Sequence, residues 1–266
     1  MSSIIVDLAA RRQNGSSSMR VEYPMGVTLP IDAAADAAMI TPEVRGEIRT
    51  GAYSTDLIGR LPDAVMRGDR VLVIGGGLGV VSTLVARAEG IDRVIVTEPN
   101  TLLLRYIARV HDLNGLSEVE AINAVLAVGK RGSIPFCAQH DPRTSLFMPE
   151  NQSLQQATMV PVMDLNMILV EEQINVIVCD TPIAPAQLLA QADLGQVDRI
   201  LLNHGSDIAQ SWDGDGICTQ LAARGYHPEP SGTAILLRRS TARRSGSTRV
   251  VTPANLNSAP SLANLG

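Results

Sequence analysis

The chain has 266 residues, enough for one large domain or two small ones, and enough to bury a sizeable core without disulfide staples. Lys and Arg number 22 against 27 Asp and Glu, so the net charge is −5 at pH 7, and there is no overall positive field to draw the protein to phosphate backbones. Aromatic residues make up only 3%, which leaves few stacking platforms for single-stranded bases, so nucleic acid is not expected as a partner.

Near the N-terminus, Ile4-Ile5-Val6 is interrupted by Asp7 and followed by Arg11-Arg12, too short an apolar run and the wrong order of charges for a secretory leader. No stretch approaches the roughly 20 apolar residues of a membrane helix, so no membrane partner is expected. Cys137, Cys179 and Cys218 are an odd set without C-x-x-C spacing, which points to neither a disulfide framework nor a zinc site. A reducing, cytoplasmic setting is the expectation.

In chain order, the polar run Gln13 to Ser18 and everything after about Ser240 lack periodicity and read as mobile ends. Arg238, Arg239, Arg243, Arg244 and Arg249 read as part of a solvated basic tail rather than a docking site for an acidic partner. Residues 1–66 form an extension with a leading helix, 67–240 a sheet-and-helix domain, and 241–266 a tail. Within the middle, short β-branched runs alternate with helical ones, the signature of a parallel sheet covered on both faces.

Arg70 to Ile74 is the clearest strand, placed inside the sheet and stopped by Gly75-Gly76-Gly77. A helix follows from Val80 to Ala88, then a strand at Val94-Val96 and a helix from Leu102 to Leu113 closed by Asn114-Gly115. Further strands are expected at Glu120-Ile122, Asn175-Cys179 and Arg199-Leu202. The last two, near Tyr226 and at Thr233-Leu237, form a hairpin that closes the sheet. Met159, Met163 and Met167 recur every four residues and read as core filling.

The strongest chemical signal is the first strand running into Gly75-Gly76-Gly77-Leu78-Gly79 and then a helix. Glycines at such a junction let a ligand approach the backbone, and the helix start offers unpaired N–H groups. The dinucleotide fingerprint G-x-G-x-x-G is not met, since its last place falls on Val80 or Ser82. Gly129-Lys130 is followed by Arg131 and lacks the spacing of an ATP-binding loop. About twenty residues after the glycines, Glu98 ends the second strand, where a carboxylate can accept from both ribose hydroxyls. Each feature alone is plainly explained as a tight turn or a loop acid; their joint spacing favours a nucleoside ligand.

The segments VLVIGGGLGVVS (71–82), VIVTEPN (94–100) and VHDLNGLSEVEAINAVLA (110–127) resemble the class I S-adenosylmethionine-dependent methyltransferases, and in particular the FkbM-like family. GAYSTDLIGRLP (51–62) and VPVMDLNMILVEEQINVIVCD (160–180) extend the resemblance over roughly residues 25–240. It implies a Rossmann-like, seven-stranded, mostly parallel sheet with a C-terminal antiparallel hairpin, and S-adenosylmethionine as cofactor. Gly75, Gly77 and Gly79 would line its methionine end, Glu98 would hold the ribose, and Asn123 and Ala124 would lie near the adenine. Tyr53 would close over the site from the leading helix, and Asp180 would stand near the cofactor's amino group and the acceptor, which the family takes as a small-molecule or sugar hydroxyl.

Three positions depart from the family pattern: Val73 replaces an acidic residue, Thr181-Pro182-Ile183 replaces Val-Glu-Gly, and Asn203-His204 stands where a Glu is common. Catalysis by methyl transfer needs chiefly placement of the acceptor, with Asp180 and His204 as candidate bases at strand ends. For His204 a surface histidine is the plainer reading; His111 and His140 read as structural, and Cys179 as a buried core residue. Two other classes stay open: a methyltransferase-fold scaffold that has lost its chemistry, and an NAD-dependent oxidoreductase.

Overall fold

The computed structural model describes residues 19–23, 25–31, 39–136, 157–181, 185–203 and 216–240. Three segments are buried along almost their whole length: β3 (Arg70–Ile74), β9 (Val176–Cys179) and β10 (Arg199–Asn203). Such runs have no solvent face, so they must lie inside a sheet covered on both sides. Together with β4 (Arg93–Thr97), β5 (Glu120–Ile122), β11 (Tyr226–Ser231) and β12 (Ala234–Arg239) they form one seven-stranded sheet in the order β5-β4-β3-β9-β10-β12-β11. The first five are mutually parallel, while β12 runs antiparallel to β10 and β11 antiparallel to β12. In order of use along the chain this is 3-2-1-4-5-7-6: the doubly wound order of a Rossmann sheet closed by a reversed hairpin. The chain has the class I methyltransferase fold expected from its sequence, with β3 interior and a helix starting at Val80.

Alternate residues of each strand feed two cores. Val71, Val73, Val96, Val176, Val178 and Leu201 face one side, with α1 (Pro42–Thr50), α2 (Thr55–Ala64), α3 (Val80–Arg87) and α4 (Thr101–Leu113) packed over them. Leu72, Ile74, Ile95, Ile177, Cys179 and Ile200 face the other, under α5 (Leu165–Glu171), α6 (Pro185–Gln191) and α7 (Ile217–Ala223). Helix starts are fixed locally. Thr41 Oγ1 accepts from the Val44 N–H at 3.3 Å, and Asn100 Oδ1 from Leu102 at 3.0 Å and more loosely from Leu103 at 3.5 Å.

The N-terminal extension shares this core. β1 (Met19–Tyr23) and β2 (Val27–Ile31) form a separate hairpin, and Val27, Leu29 and Ile31 are buried in the same cluster as Val71 and Val73. Tyr106 of α4 donates its hydroxyl to the Pro30 carbonyl at 2.8 Å.

A third sheet, absent from the sequence reading, is inserted between β5 and β9. β6 (Val125–Ala127), β8 (Thr158–Asp164) and β7 (Gly132–Phe136) lie in the order β6-β8-β7. Met159 and Met163 stand on β8; Met163 packs against the main core as expected, while Met159 is 58% exposed and does not fill it. Arg238 and Arg239 are not a solvated tail either. Both belong to β12, where Arg238 pairs with Glu229 at 3.1 Å and Arg239 lies over the Tyr226 ring 5.0 Å from its centroid. Arg243, Arg244, Arg249, Cys137, His140 and both expected mobile ends lie outside the described residues.

At the end of the sheet opposite the glycine loop, Asp69 is 3% exposed and joins the starts of three strands. Its carboxylate accepts from Arg199 at 2.6 Å, from the Asn175 amide at 2.9 Å and from the Met66 N–H at 2.6 Å. Removing one member of such a buried pair strands the other, a loss of about 3 to 5 kcal/mol. Asp69→Ala is therefore expected to lower the urea midpoint severely, and Arg199→Met, which leaves a carboxylate that still has two donors, to lower it less.

Candidate cofactor and active site

The glycine run leaves β3 at the carboxyl edge of the sheet, where the chain goes one way to β4 and the other to β9; this is the switch point at which open α/β sheets bind ligands. Its three glycines answer three different neighbours. A Cβ on Gly75 would lie 2.9 Å from Thr181 Cβ, one on Gly76 2.3 Å from Ile107 Cδ1, and one on Gly77 2.8 Å from the Tyr53 hydroxyl oxygen. Gly75 and Gly77 also have φ of +80° and +50°, which β-carbon-bearing residues rarely adopt.

Above the loop opens a cavity of about 580 Å³, within the range that holds a cofactor-sized ligand. Its inner end is walled by Gly75, Gly77, Glu98, Ala124, Asp180 and Thr181. Its outer end is walled by β6, β7, Val162 of β8 and one face of α6, contributed by Gln187, Leu188 and Gln191.

Glu98 is 5% exposed and turned toward the loop. Oε2 accepts from the Gly76 N–H at 3.0 Å and Oε1 from the Asn100 N–H at 2.8 Å, and the Gly77 N–H also bonds to this carboxylate. Burial outweighs these donors and pushes its pKa up to about 7. Three N–H donors occupy three of the carboxylate's roughly four acceptor sites, which leaves one for a ribose hydroxyl.

Asp180 follows β9, and its backbone N–H is held by the Ile74 carbonyl at 3.0 Å. Ser54 Oγ donates to Oδ1 at 3.3 Å, long for a hydroxyl donor, and the Asn203 side chain reaches the same carboxyl group. Oδ2 is buried with no donor among the described residues. Burial, with a smaller contribution from the Glu98 charge, pushes the Asp180 pKa up to about 7. Two carboxylates facing one cavity, both short of positive charge, favour a cationic occupant.

The other sequence candidates divide. Ala124 is in the cavity wall, whereas Asn123 lies behind it, its amide donating to the Glu98 and Pro99 carbonyls at 2.9 Å each and so fixing that turn. Tyr53 does not close over the cavity. It is 3% exposed behind the loop, its hydroxyl accepting from the Leu78 N–H at 3.3 Å. Gly79 is the N-cap of α3, and a Cβ there would face Ile107 and Val110 of α4 rather than the cavity. His204 lies outside the described residues. His111 is buried against Ser82, Nε2 to Oγ 2.8 Å, with burial pushing its pKa down to about 4, in keeping with a structural part. Cys179 is fully buried and its thiol is pushed up to about 12 by burial, which removes it as a nucleophile.

Ser54 was not anticipated. Serine is a favoured helix N-cap, yet here, at the start of α2 with φ of +50°, its hydroxyl makes no cap bond and turns to Asp180 instead. Residues held in such sparsely populated backbone regions cluster at active sites and ligand clamps. Its only trace in the sequence is the Tyr53-Ser54-Thr55-Asp56 cluster at a helix start.

No family model and no curated protein matches the chain. Among solved structures it is similar to a ribosomal protein L11 methylase from Lactobacillus delbrueckii subsp. bulgaricus, at 13% identity over 71% of this chain and 79% of that one, with a TM-score of 0.40. TYW2 of M. jannaschii in complex with AdoMet is 11% identical over 86% and 89% of the two chains, with a TM-score of 0.44. Trm5b from Pyrococcus abyssi is 13% identical over 85% of this chain and 56% of that one, also at 0.44. The fold assignment rests on the strand order and not on these likenesses. No helix among the described residues is long and apolar enough to cross a membrane.

The raised carboxylates set a pH dependence. Between about pH 4 and 7 the unfolded chain has released both protons while the folded one still holds them, so these groups' contribution to stability is complete below about pH 4 and is lost as pH rises to 7. Asp180→Asn escapes its share of that loss. Its melting temperature minus that of wild type is expected to rise steadily from pH 4.5 to 7.5 in thermal scans; a difference that stays constant or falls contradicts a raised Asp180.

Proposed function

We propose that the chain is an S-adenosylmethionine-dependent methyltransferase of FkbM-like type that methylates a hydroxyl of a small molecule or sugar, in a reducing, cytoplasmic setting. The observation that carries this reading is the pairing of Glu98 with Asp180 across the glycine loop. Two buried carboxylates, one with an oxygen that has no donor, suit a ligand that brings positive charge and hydroxyls together. The side-chain-free backbone at Gly75 and Gly77 leaves the inner cavity open beside them.

When bound, the cofactor supplies a methyl group on positively charged sulfur, already activated toward an oxygen nucleophile. Glu98 would accept from a ribose hydroxyl, the Ala124 turn would border the adenine, and Gly75 and Gly77 would admit the methionine end. Asp180 would take the proton of the acceptor hydroxyl at Oδ2 as that oxygen receives the methyl group, with the demethylated cofactor as the leaving group. Its pKa near 7 matches a base that works at neutral pH. Ser54 and Asn203 hold the carboxylate in place.

Calorimetry with S-adenosylhomocysteine tests the cofactor. Wild type is expected to bind it, Glu98→Ala at least tenfold more weakly, and NADH not at all. Equal affinity of both proteins removes Glu98 from the site, and tight NADH binding favours the oxidoreductase class. Incubation with methyl-labelled S-adenosylmethionine and fractionated cell extract tests catalysis. Label is expected in at least one fraction and is expected to be lost with Asp180→Asn. Tight cofactor binding without label in any fraction favours the scaffold reading.

A further inference from the structure

The inner end of the cavity is acidic, but its outer end carries the opposite charge. β6 and β7 are joined by Val128-Gly129-Lys130-Arg131, and Lys130 and Arg131 both contribute to the cavity wall while remaining exposed. The turn is built to display them. Gly129 and Gly132 flank the pair with φ of +64° and +134°, and the Gly129 N–H is tied to Asp164 Oδ1 at 3.1 Å. That same oxygen also accepts from the Asn166 N–H at 3.1 Å at the start of α5, so this carboxylate is engaged by backbone. Among the described residues neither Lys130 nor Arg131 has an ion-pair partner. Next to this pair the wall is apolar: Val125, Leu126, Ile134, Phe136, Val162 and Leu188. Ser133, Gln187 and Gln191 supply neutral hydrogen-bonding groups around it.

We infer that this outer half is the acceptor subsite, and that it takes a small amphiphile with an apolar body against β6 to β8 and a carboxylate or phosphate monoester between Lys130 and Arg131. The inference rests on the methyltransferase reading and narrows its acceptor from any hydroxyl compound to a hydroxylated organic anion. A plain sugar would leave six apolar side chains against its hydroxyls. A polyanion such as RNA gains affinity by neutralising many phosphates, and among the described residues this wall offers two cations and a single aromatic ring. Distance between the ends matters as well: the acidic inner end repels the anionic group, so the acceptor is oriented with its anion outward and its hydroxyl toward Asp180.

The test uses the full chain with 8-anilinonaphthalene-1-sulfonate as an aromatic anionic probe, and S-adenosylhomocysteine calorimetry on the same samples. In wild type saturated with S-adenosylhomocysteine, the probe is expected to bind at one saturable site. Octanoate and phenyl phosphate are expected to displace it, and octanol, of matched length but neutral, to displace it at least fivefold less well. Lys130→Ala/Arg131→Ala is expected to weaken the probe at least fivefold and Lys130→Glu/Arg131→Glu further, with S-adenosylhomocysteine affinity within twofold of wild type. Octanoate sets the carboxylate arm and phenyl phosphate the phosphate arm; the stronger competitor names the group. Unchanged probe affinity in both double variants overturns the inference, as does displacement by octanol as good as by octanoate. Displacement by a single-stranded oligonucleotide, tighter than by either small anion and collapsing with salt, overturns it in favour of nucleic acid. Failure of wild type to bind S-adenosylhomocysteine, with the charge-dependent probe site intact, instead overturns the cofactor reading.

Discussion

The site is organised by a stretch of backbone that has no room for side chains. The loop after β3 is pressed between Thr181, Ile107 and Tyr53, each near enough that a Cβ on the facing glycine would collide. Because the backbone sits this low, its N–H groups point at Glu98 rather than at solvent, and Glu98 is drawn into a buried position that a carboxylate does not otherwise hold. Burial in turn raises its pKa, and its charge adds to the rise at Asp180. Loop, second-strand acid and fourth-strand acid are thus one coupled unit: moving any of them changes the protonation of the others.

That coupling gives the cavity its polarity. The carboxylates lie at the tips of the parallel strands, where the alternation of buried residues ends and the next residue emerges at the sheet edge. The cations lie on the turn of an inserted sheet that is anchored to the main core through Leu126, Val128 and Met163. The strand tips thus set one end of the cavity and the insertion the other, in line with the placement of recognition elements on loops carried by rigid scaffolds.

How far the sequence could be read follows from how local each signal was. Val71-Leu72-Val73-Ile74 and Val176-Ile177-Val178-Cys179 are apolar on both faces and short, so they could only be interior strands, and the glycine and asparagine stops around them were local too. The inserted sheet was hidden because Pro135 and Pro161 sit inside its strands, where a proline normally argues against one. Pro161 is tolerated because it faces only β7, the pairing of β8 with β6 beginning at Val162. Arg238 and Arg239 looked like the first residues of a basic tail. Their partners Glu229, Tyr226 and the carbonyls of Leu194 and Gly195 come from elsewhere in the fold, which periodicity cannot see. Glu98 and Asp180 were found by position, but the direction in which Glu98 points, and the diversion of Ser54 to Asp180, are tertiary facts. Tyr53 was picked as an aromatic lid and is instead a brace, since its side chain fills the space that Gly77 leaves.

The departures from the family pattern take on a different meaning once located. Val73 is fully buried in the core shared by α1 to α4 and is not in the cavity wall, so a hydrocarbon there takes no carboxylate away from a ligand lying in the cavity. Asn203 reaches the Asp180 carboxyl group. An acid in its place would set a third negative charge against Glu98 and Asp180 and drive Asp180 further toward its neutral form, where it can no longer accept a proton. With Ser54 and Asn203 as neutral donors, Asp180 stays poised near neutrality with one oxygen unpartnered. The substitution that reads in sequence as lost chemistry is, in three dimensions, one of the neutral contacts that hold the Asp180 carboxyl group in place.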